Sequence, residues 1–337
     1  MNVPPVGDLL AALRVVAIPM RVPFRGVTTR EVALISGPNG WGEFGAFLEY
    51  GPQEASRWLA SAIETACHPW PDAVRHEIAV NATIPAVPAA QVAGVLARFP
   101  GCTTAKVKVA ERGQRLDDDV ARVAEVRAVM GPSARLRVDA NGAWSVDEAV
   151  EALGRLAAYD LEYAEQPCAH VEQLRDLRVA LVRAGVDVPV AADESIRKAE
   201  DPLRVRDLEA ADLIVVKVAP LGGVRSALAI VQECGLPAVV SSALDTSVGI
   251  SSGVALAAAL PTLEHACGLG TVALLAGDVT PCPLLPDHGA LRAGRVAVDE
   301  ALLDRWAAPP ERATWWADRV ANCHAVLAAA PQEGGMP

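Results

Sequence analysis

The chain has 337 residues, 52% hydrophobic and 21% charged, which is enough apolar material for one large barrel or two ordinary domains and argues against a disordered chain. Its 41 acidic and 30 basic side chains give a net charge of -11, which argues against a nucleic-acid surface and leaves no polybasic patch for an anionic membrane. The seven cysteines are odd in number, scattered and never spaced C-x-x-C, so neither a disulfide framework nor a structural zinc site is expected, and a reducing, cytoplasmic setting fits.

In chain order, the first stretch carries no basic region and is interrupted by Asp8, so no secretory signal is expected. Residues 31–35 read as a strand, 36–40 as a turn and 41–44 as a returning strand, followed by a helix over 53–67 with Pro52 at its start. Residues 18–30 read as a loop over a cavity mouth. From about residue 77 a new texture begins, in which short apolar runs at 78–82, 104–109, 136–139, 161–165, 188–193, 213–217 and 238–242 alternate with amphipathic helical stretches. A weaker run lies at 263–267. From Lys108 through Asp139, Glu165, Asp193 and Lys217 to Ser241 the steps are 31, 26, 28, 24 and 24 residues, the length of one βα unit. The run 254–260 is too short and too interrupted, by Ser251, Ser252, Gly253 and Pro261, to span a bilayer. A last helix is expected over 311–330, packing back on the first domain, with a frayed tail at 331–337. These features predict an α+β capping domain over 1–76, a parallel barrel over 77–285 and a returning segment over 286–337.

The ends of the strands carry the chemistry. Of 30 basic residues only four are lysines, and three of these, Lys106, Lys108 and Lys217, fall inside apolar strand-like runs where a charge is costly. Lysine differs from arginine in being able to give up its proton. Lys106 and Lys108 are i, i+2 and share a face. Between them and Lys217, three successive strands end in acids: Asp139, Glu165 and the pair Asp193-Glu194. In a barrel all these ends meet in one pocket. Carboxylates without histidine or cysteine suit a hard cation, Mg²⁺ with Mn²⁺ as a substitute; the alternative is a set of structural salt bridges with the lysines. Lysines beside such a cation suggest proton transfer at a carbon next to a carboxylate, through an enediolate.

With these residues in place, the chain resembles the enolase superfamily in its muconate-lactonizing-enzyme subgroup. The matching motifs are Lys106-Val107-Lys108, Asp139-Ala140-Asn141, Glu165-Gln166-Pro167, Asp193-Glu194-Ser195 and Lys217 after its apolar strand. The resemblance implies a modified TIM barrel, (β/α)7β, with an α+β capping domain built from the N-terminal region and the C-terminal tail. It also implies Mg²⁺ on Asp139, Glu165 and Asp193, with Lys108 facing Lys217 across a small-molecule carboxylate substrate. Within the subgroup, residues 23–31, 40–44, 241–249 and 268–271 are similar to the water-eliminating members, implying dehydration of a hydroxycyclohexadiene carboxylate in menaquinone biosynthesis. Lys108 would then abstract the proton and Lys217 steady the enediolate.

Further expectations attach to five positions. Arg137 lies near substrate polar groups or is a buried partner of a barrel carboxylate. Ser241, Ser242 and Gly268 hold the substrate's side chain, or the serines merely cap a helix. Asn141 supports the acids or forms a turn. Racemisation of N-succinylamino acids or epimerisation of dipeptides needs the same lysine pair and stays open. No obligate protein partner is evident.

Overall fold

The computed structural model describes residues 3–24, 26–196 and 201–329. Three antiparallel strands come first: β1 (Leu13–Phe24), β2 (Val27–Gly37) and β3 (Gly40–Phe44). The sequence reading missed β1, because Pro19, Pro23 and scattered arginines break the apolar alternation. The strand forms all the same as the edge of the sheet, where a missing N–H is tolerated, pairing with β2 from Leu13↔Ile35 to Pro19↔Thr29. The expected loop over 18–30 is therefore largely a hairpin, its arms rejoining at Phe24↔Val27. A helix over Pro52–Cys67 covers the sheet with the helix Pro310–Ala329, burying Trp58, Leu59, Ile63, Trp316 and Val320 together. Gly42 is required at this contact, since a Cβ there would lie 1.9 Å from the carbonyl oxygen of Ala62.

The second layer is parallel. After β4 (Glu77–Ala79) come β5 (Ala82–Ile84), β6 (Thr104–Lys108), β7 (Arg135–Asp139), β8 (Leu161–Glu165), β9 (Val190–Ala192), β10 (Leu213–Lys217) and β11 (Ala238–Ser241). The last seven form one sheet, paired in chain order. The weak run at 263–267 forms no extended strand. Cys267 and Gly268 instead bridge the two margins, Val80↔Cys267 on one side and Ser241↔Gly268 on the other. Helices wrap the outside, ended or started by local signals: Ser145 in a capping box before Val146–Leu156, and left-handed Gly185 and Gly235 closing two others. β4 pairs with β12 (Ala290–Arg292). Among the described residues no helix is long and apolar enough to cross a membrane. The tail at 331–337 lies outside the described residues.

The two layers dock through charge at helix ends. Glu64, on the capping helix, accepts the backbone N–H groups of Val224 (2.5 Å) and Arg225 (3.2 Å), which open the barrel helix Val224–Cys234. Glu43, on β3, accepts the N–H of Thr246 (3.1 Å) and of Gly249 (3.1 Å) and the Thr246 hydroxyl, at the start of the helix Ser247–Ala259. Each carboxylate meets the unpaired donors and positive end of a helix dipole. Arg30 is buried between the layers, donating to Leu244 O (3.0 Å) and to Gly45 O.

Candidate active site

The parallel register does the assembling. Lys108 stands opposite Asp139, Asp139 opposite Glu165, and Lys217 opposite Ser241, so side chains up to 57 residues apart share one level of the barrel. At that level the Lys108 ammonium donates to Asp139 Oδ2 (2.5 Å) and Asn141 Oδ1 (2.7 Å). Lys106 bridges Glu165 Oε1 (2.8 Å) and Asp139 Oδ2 (3.1 Å). Lys217 pairs with Asp193, which follows β9 directly. Gln166 keeps Asp193 in place, accepting its backbone N–H (2.8 Å) while donating to Ser195 Oγ (2.9 Å). The sequence reading quoted Gln166 within a motif and gave it no role.

The backbone just past these strands is held in the left-handed region at Ala110, Asn141, Gln166 and Leu244, with φ of 59°, 48°, 39° and 62°. Non-glycine residues in that region carry of order 1–3 kcal/mol of strain each, and such residues cluster at functional sites. Asn141 thus combines both of its expected parts: it turns the chain, and its side chain links Lys108 to Glu194 Oε1 (3.1 Å).

Burial makes the charges interact strongly. Burial alone would lower the Lys106 ammonium, yet Glu165, Asp139 and Asp193 outweigh it and hold the pKa well above the usual lysine value. Lys108 goes the other way: burial lowers it and Lys106 adds to that, against Asp139. Burial would raise Asp139, but Lys108 and Lys106 draw it well below the ordinary carboxylate range. Glu165 is pushed up to about 8 by burial and by the neighbouring carboxylates of Asp139 and Asp193.

These groups open onto a cavity of about 540 Å³. Lys106, Lys108, Asp139, Asn141, Lys217, Ser241, Ser242 and Gly268 line it from the barrel; Glu165 and Asp193 stand behind them. Gly268 must be glycine, because a Cβ there would sit 2.5 Å from Ser241 Oγ. Ser242 donates to Gly268 O (2.8 Å) and shares a hydrogen bond with Thr271 Oγ1 (2.9 Å), tying two loops together. Neither serine caps a helix, because Thr246 takes that place. The other wall comes from the capping layer: Phe24, Phe47, Tyr50 and Trp58. Phe24, at the hairpin tip, lies 5.1 Å from the Lys108 ammonium. Nothing in the sequence marks Phe47 or Trp58 as cavity residues, and Phe24 and Tyr50 stand only within segments similar to the family. A second chamber of about 400 Å³, reaching Glu43 and Asp245, shares Trp58, Lys217, Ser241 and Ala243 with the first.

Arg137 does not line either chamber, so the expected contact with substrate polar groups is replaced by its alternative. It is fully buried one step below Asp139 on the same face of β7, where Nε donates to Glu162 Oε2 (2.5 Å) and Nη1 to Ala266 O (2.7 Å). His265 also pairs with Glu162 (2.9 Å).

Three buried carboxylates and three lysines meet at the mouth of a parallel barrel, and the chain belongs to the enolase superfamily. The family profile "Enolase C-terminal domain-like" matches residues 89–301 and "Enolase N-terminal domain-like" matches residues 15–66. A curated relative from Mycolicibacterium smegmatis, o-succinylbenzoate synthase, is 59% identical over 97% of this chain and 99% of its own. The protein of that name from Mycobacterium tuberculosis is 57% identical over 96% and 97%. These relatives are lyases, and this chain is an enzyme of that class. Among solved structures, a muconate lactonizing enzyme from Pseudomonas fluorescens, complexed with muconolactone, superposes with a TM-score of 0.74 at 22% identity, covering 88% of this chain and 98% of that one. An N-succinyl Arg/Lys racemase from Bacillus cereus superposes with a TM-score of 0.73 at 19% identity, covering 88% and 97%. At these identities the likeness concerns the fold.

Among the described residues, no three His, Cys, Asp or Glu side chains form a set ready to hold a metal ion; ammonium groups lie against the carboxylates. The donor set nonetheless suits one. Asp139, Glu165 and Asp193 offer only hard oxygen donors.

Proposed function

We propose that this chain catalyses the o-succinylbenzoate synthase reaction of menaquinone biosynthesis: the loss of water from 2-succinyl-6-hydroxy-2,4-cyclohexadiene-1-carboxylate. The C–H bond next to the ring carboxylate breaks, the C–O bond of the ring hydroxyl breaks, the ring becomes aromatic, and proton and hydroxide depart as water. Lys108 takes the proton and returns it to the departing hydroxyl. Lys217, on the far side of the cavity and fixed by Asp193, stays protonated and steadies the enediolate between the two steps. Asp139, Glu165 and Asp193 would hold Mg²⁺, or Mn²⁺ in its stead, which supplies positive charge where the substrate carboxylate gathers negative charge. Lys106 neutralises Asp139 and Glu165 from below. The aromatic wall from the capping layer keeps water from the enediolate.

The observation that carries this reading is the shared level of Lys108, Asp139 and Glu165, with Lys217 joining through Asp193, beside a cavity walled on its other side by aromatics. The identity of the relatives supports this choice of substrate. The test is an ultraviolet assay for the aromatic product, run with EDTA and then with excess Mg²⁺. Turnover that disappears with EDTA and returns with Mg²⁺ is expected. Folded, metal-loaded protein that leaves the cyclohexadiene untouched overturns the reading and points to racemisation of N-acylated amino acids by the same lysines.

A further inference from the structure

We infer that the indole N–H of Trp58 is the hydrogen-bond donor that reads the oxygen-bearing side chain of the substrate, the part that does not react. The inference rests on the proposed reaction and deepens it. Its observation is an accounting one. Several buried side-chain nitrogens and oxygens among the described residues have no hydrogen-bond partner, and only Trp58 Nε1 belongs to a residue lining the two chambers. Trp58 is 2% exposed, so water from outside does not serve it. A buried donor left unpaired is costly, and native proteins pair nearly all of them, with protein, ordered water or ligand.

Its surroundings suit a ligand oxygen. Several competing donors around the chambers are already engaged. Ser242 and Thr271 bond each other, the three ammoniums face the acids, and Arg30 is spent on Gly45 O and Leu244 O. The ring itself is fixed, edge-on to Phe47 (5.9 Å, 72°) and tilted to Tyr50 (6.1 Å, 52°). Trp58 also stands where the two chambers join. A ring carboxylate held at the lysines leaves the chain attached to the same ring running along this wall. A four-carbon chain with a ketone and a carboxylate offers the acceptor that the indole lacks; a hydrocarbon chain does not.

Trp58→Phe keeps the apolar packing and removes the donor. KM for the succinyl substrate is expected to rise about tenfold, the size of one hydrogen bond to a charged or carbonyl oxygen, with kcat falling by less than KM rises. An analogue carrying a plain alkyl chain should show no such penalty, so the variant loses about tenfold of the native preference for the oxygenated chain. A purely structural role would affect both substrates alike. The variant-free readout is the ¹⁵N-indole resonance of Trp58, assigned by its absence from Trp58→Phe or Trp58→Tyr. It should shift and exchange more slowly with o-succinylbenzoate and stay put with benzoate. Unchanged discrimination, or a resonance indifferent to o-succinylbenzoate, overturns the inference while leaving the proposed reaction standing. A wild type that never turns over the cyclohexadiene overturns the proposed reaction instead, and the inference with it.

Discussion

The barrel mouth and the capping layer face each other across one cavity and are built on opposite plans. The barrel contributes ionisable groups in register, each anchored by another charge: Lys108 by Asp139, Lys106 by Glu165, Lys217 by Asp193. The capping layer contributes aromatic rings to the cavity and keeps its charges for docking, Glu43 and Glu64 on barrel helix ends and Arg30 on loop carbonyls. On the proposed function, chemistry sits on rigid strands, and substrate shape is read by a layer that can vary without disturbing it. If that division holds, barrel changes should alter turnover at constant stability, and capping changes should alter stability or KM at nearly constant chemistry.

The largest effect should come from the barrel. Lys108→Arg keeps the positive charge beside Asp139 and removes a side chain that can take a proton at neutral pH. A fall in kcat of about 10²–10⁴-fold is expected, the usual weight of a positioned general base, with little change in melting temperature. Near-native turnover in a steady-state assay would remove Lys108 from the role and weaken the comparison at its root.

Arg30→Met tests the opposite side. Arg30 is 4% exposed and is the cation facing buried Glu43 and Asp245. Breaking a buried charge network by removing one partner costs about 3–5 kcal/mol, which urea unfolding would read. The surviving folded fraction should keep most of its kcat, because Arg30 touches no group that handles the proton. Equal loss of kcat and stability would show that docking and chemistry are not separable.

A smaller, pH-borne effect follows from the same cluster. Burial and the neighbouring Asp245 push Glu43 up to about 8, against Thr246, Arg30 and Gly249. A carboxyl whose folded-state pKa lies above its unfolded one stabilises the fold while protonated and loses that contribution as pH rises through the folded value. Stability should therefore decline between about pH 4.5 and 8 on this account. In Glu43→Gln the decline should flatten, as urea midpoints across that range would show; an identical slope would assign the pH dependence elsewhere.

How much of this was readable in the sequence follows the same division. Lys106, Lys108, Asp139, Glu165, Asp193 and Lys217 were legible because a parallel barrel places the ends of local runs together, so a one-dimensional period yields a three-dimensional site. The capping side had no such rule. β1 hid behind Pro19 and Pro23, and Trp58 lay inside an expected helix with no pattern to single it out. Glu43 and Glu64 act on helices more than 150 residues away, through contacts that no local pattern encodes. Arg137 stayed open between two readings for a related reason: alternation puts it on the same face as Asp139, and only depth along the strand decides that it pairs with Glu162.

The smallest expected effect separates docking from recognition within the capping layer itself. Glu64 is buried, touches the first N–H groups of a barrel helix and lines neither chamber. Glu64→Gln keeps an acceptor oxygen of the same shape and removes only the charge that complements the helix end. The loss should be about 0.5–2 kcal/mol, the range for a helix N-terminal cap and its dipole interaction, and it should shrink at high salt less than an exposed pair would. KM should not move, in contrast to the rise expected for Trp58→Phe one turn of the same helix and more away. Gly223 sharpens the point, since a Cβ there would lie 2.1 Å from Glu64 Oε2: the barrel loop is shaped to receive this carboxylate and nothing larger. A KM that rises with Glu64→Gln would mean that the angle of the capping helix is set by this one contact, so that recognition by its aromatic face depends on how firmly the layer is docked.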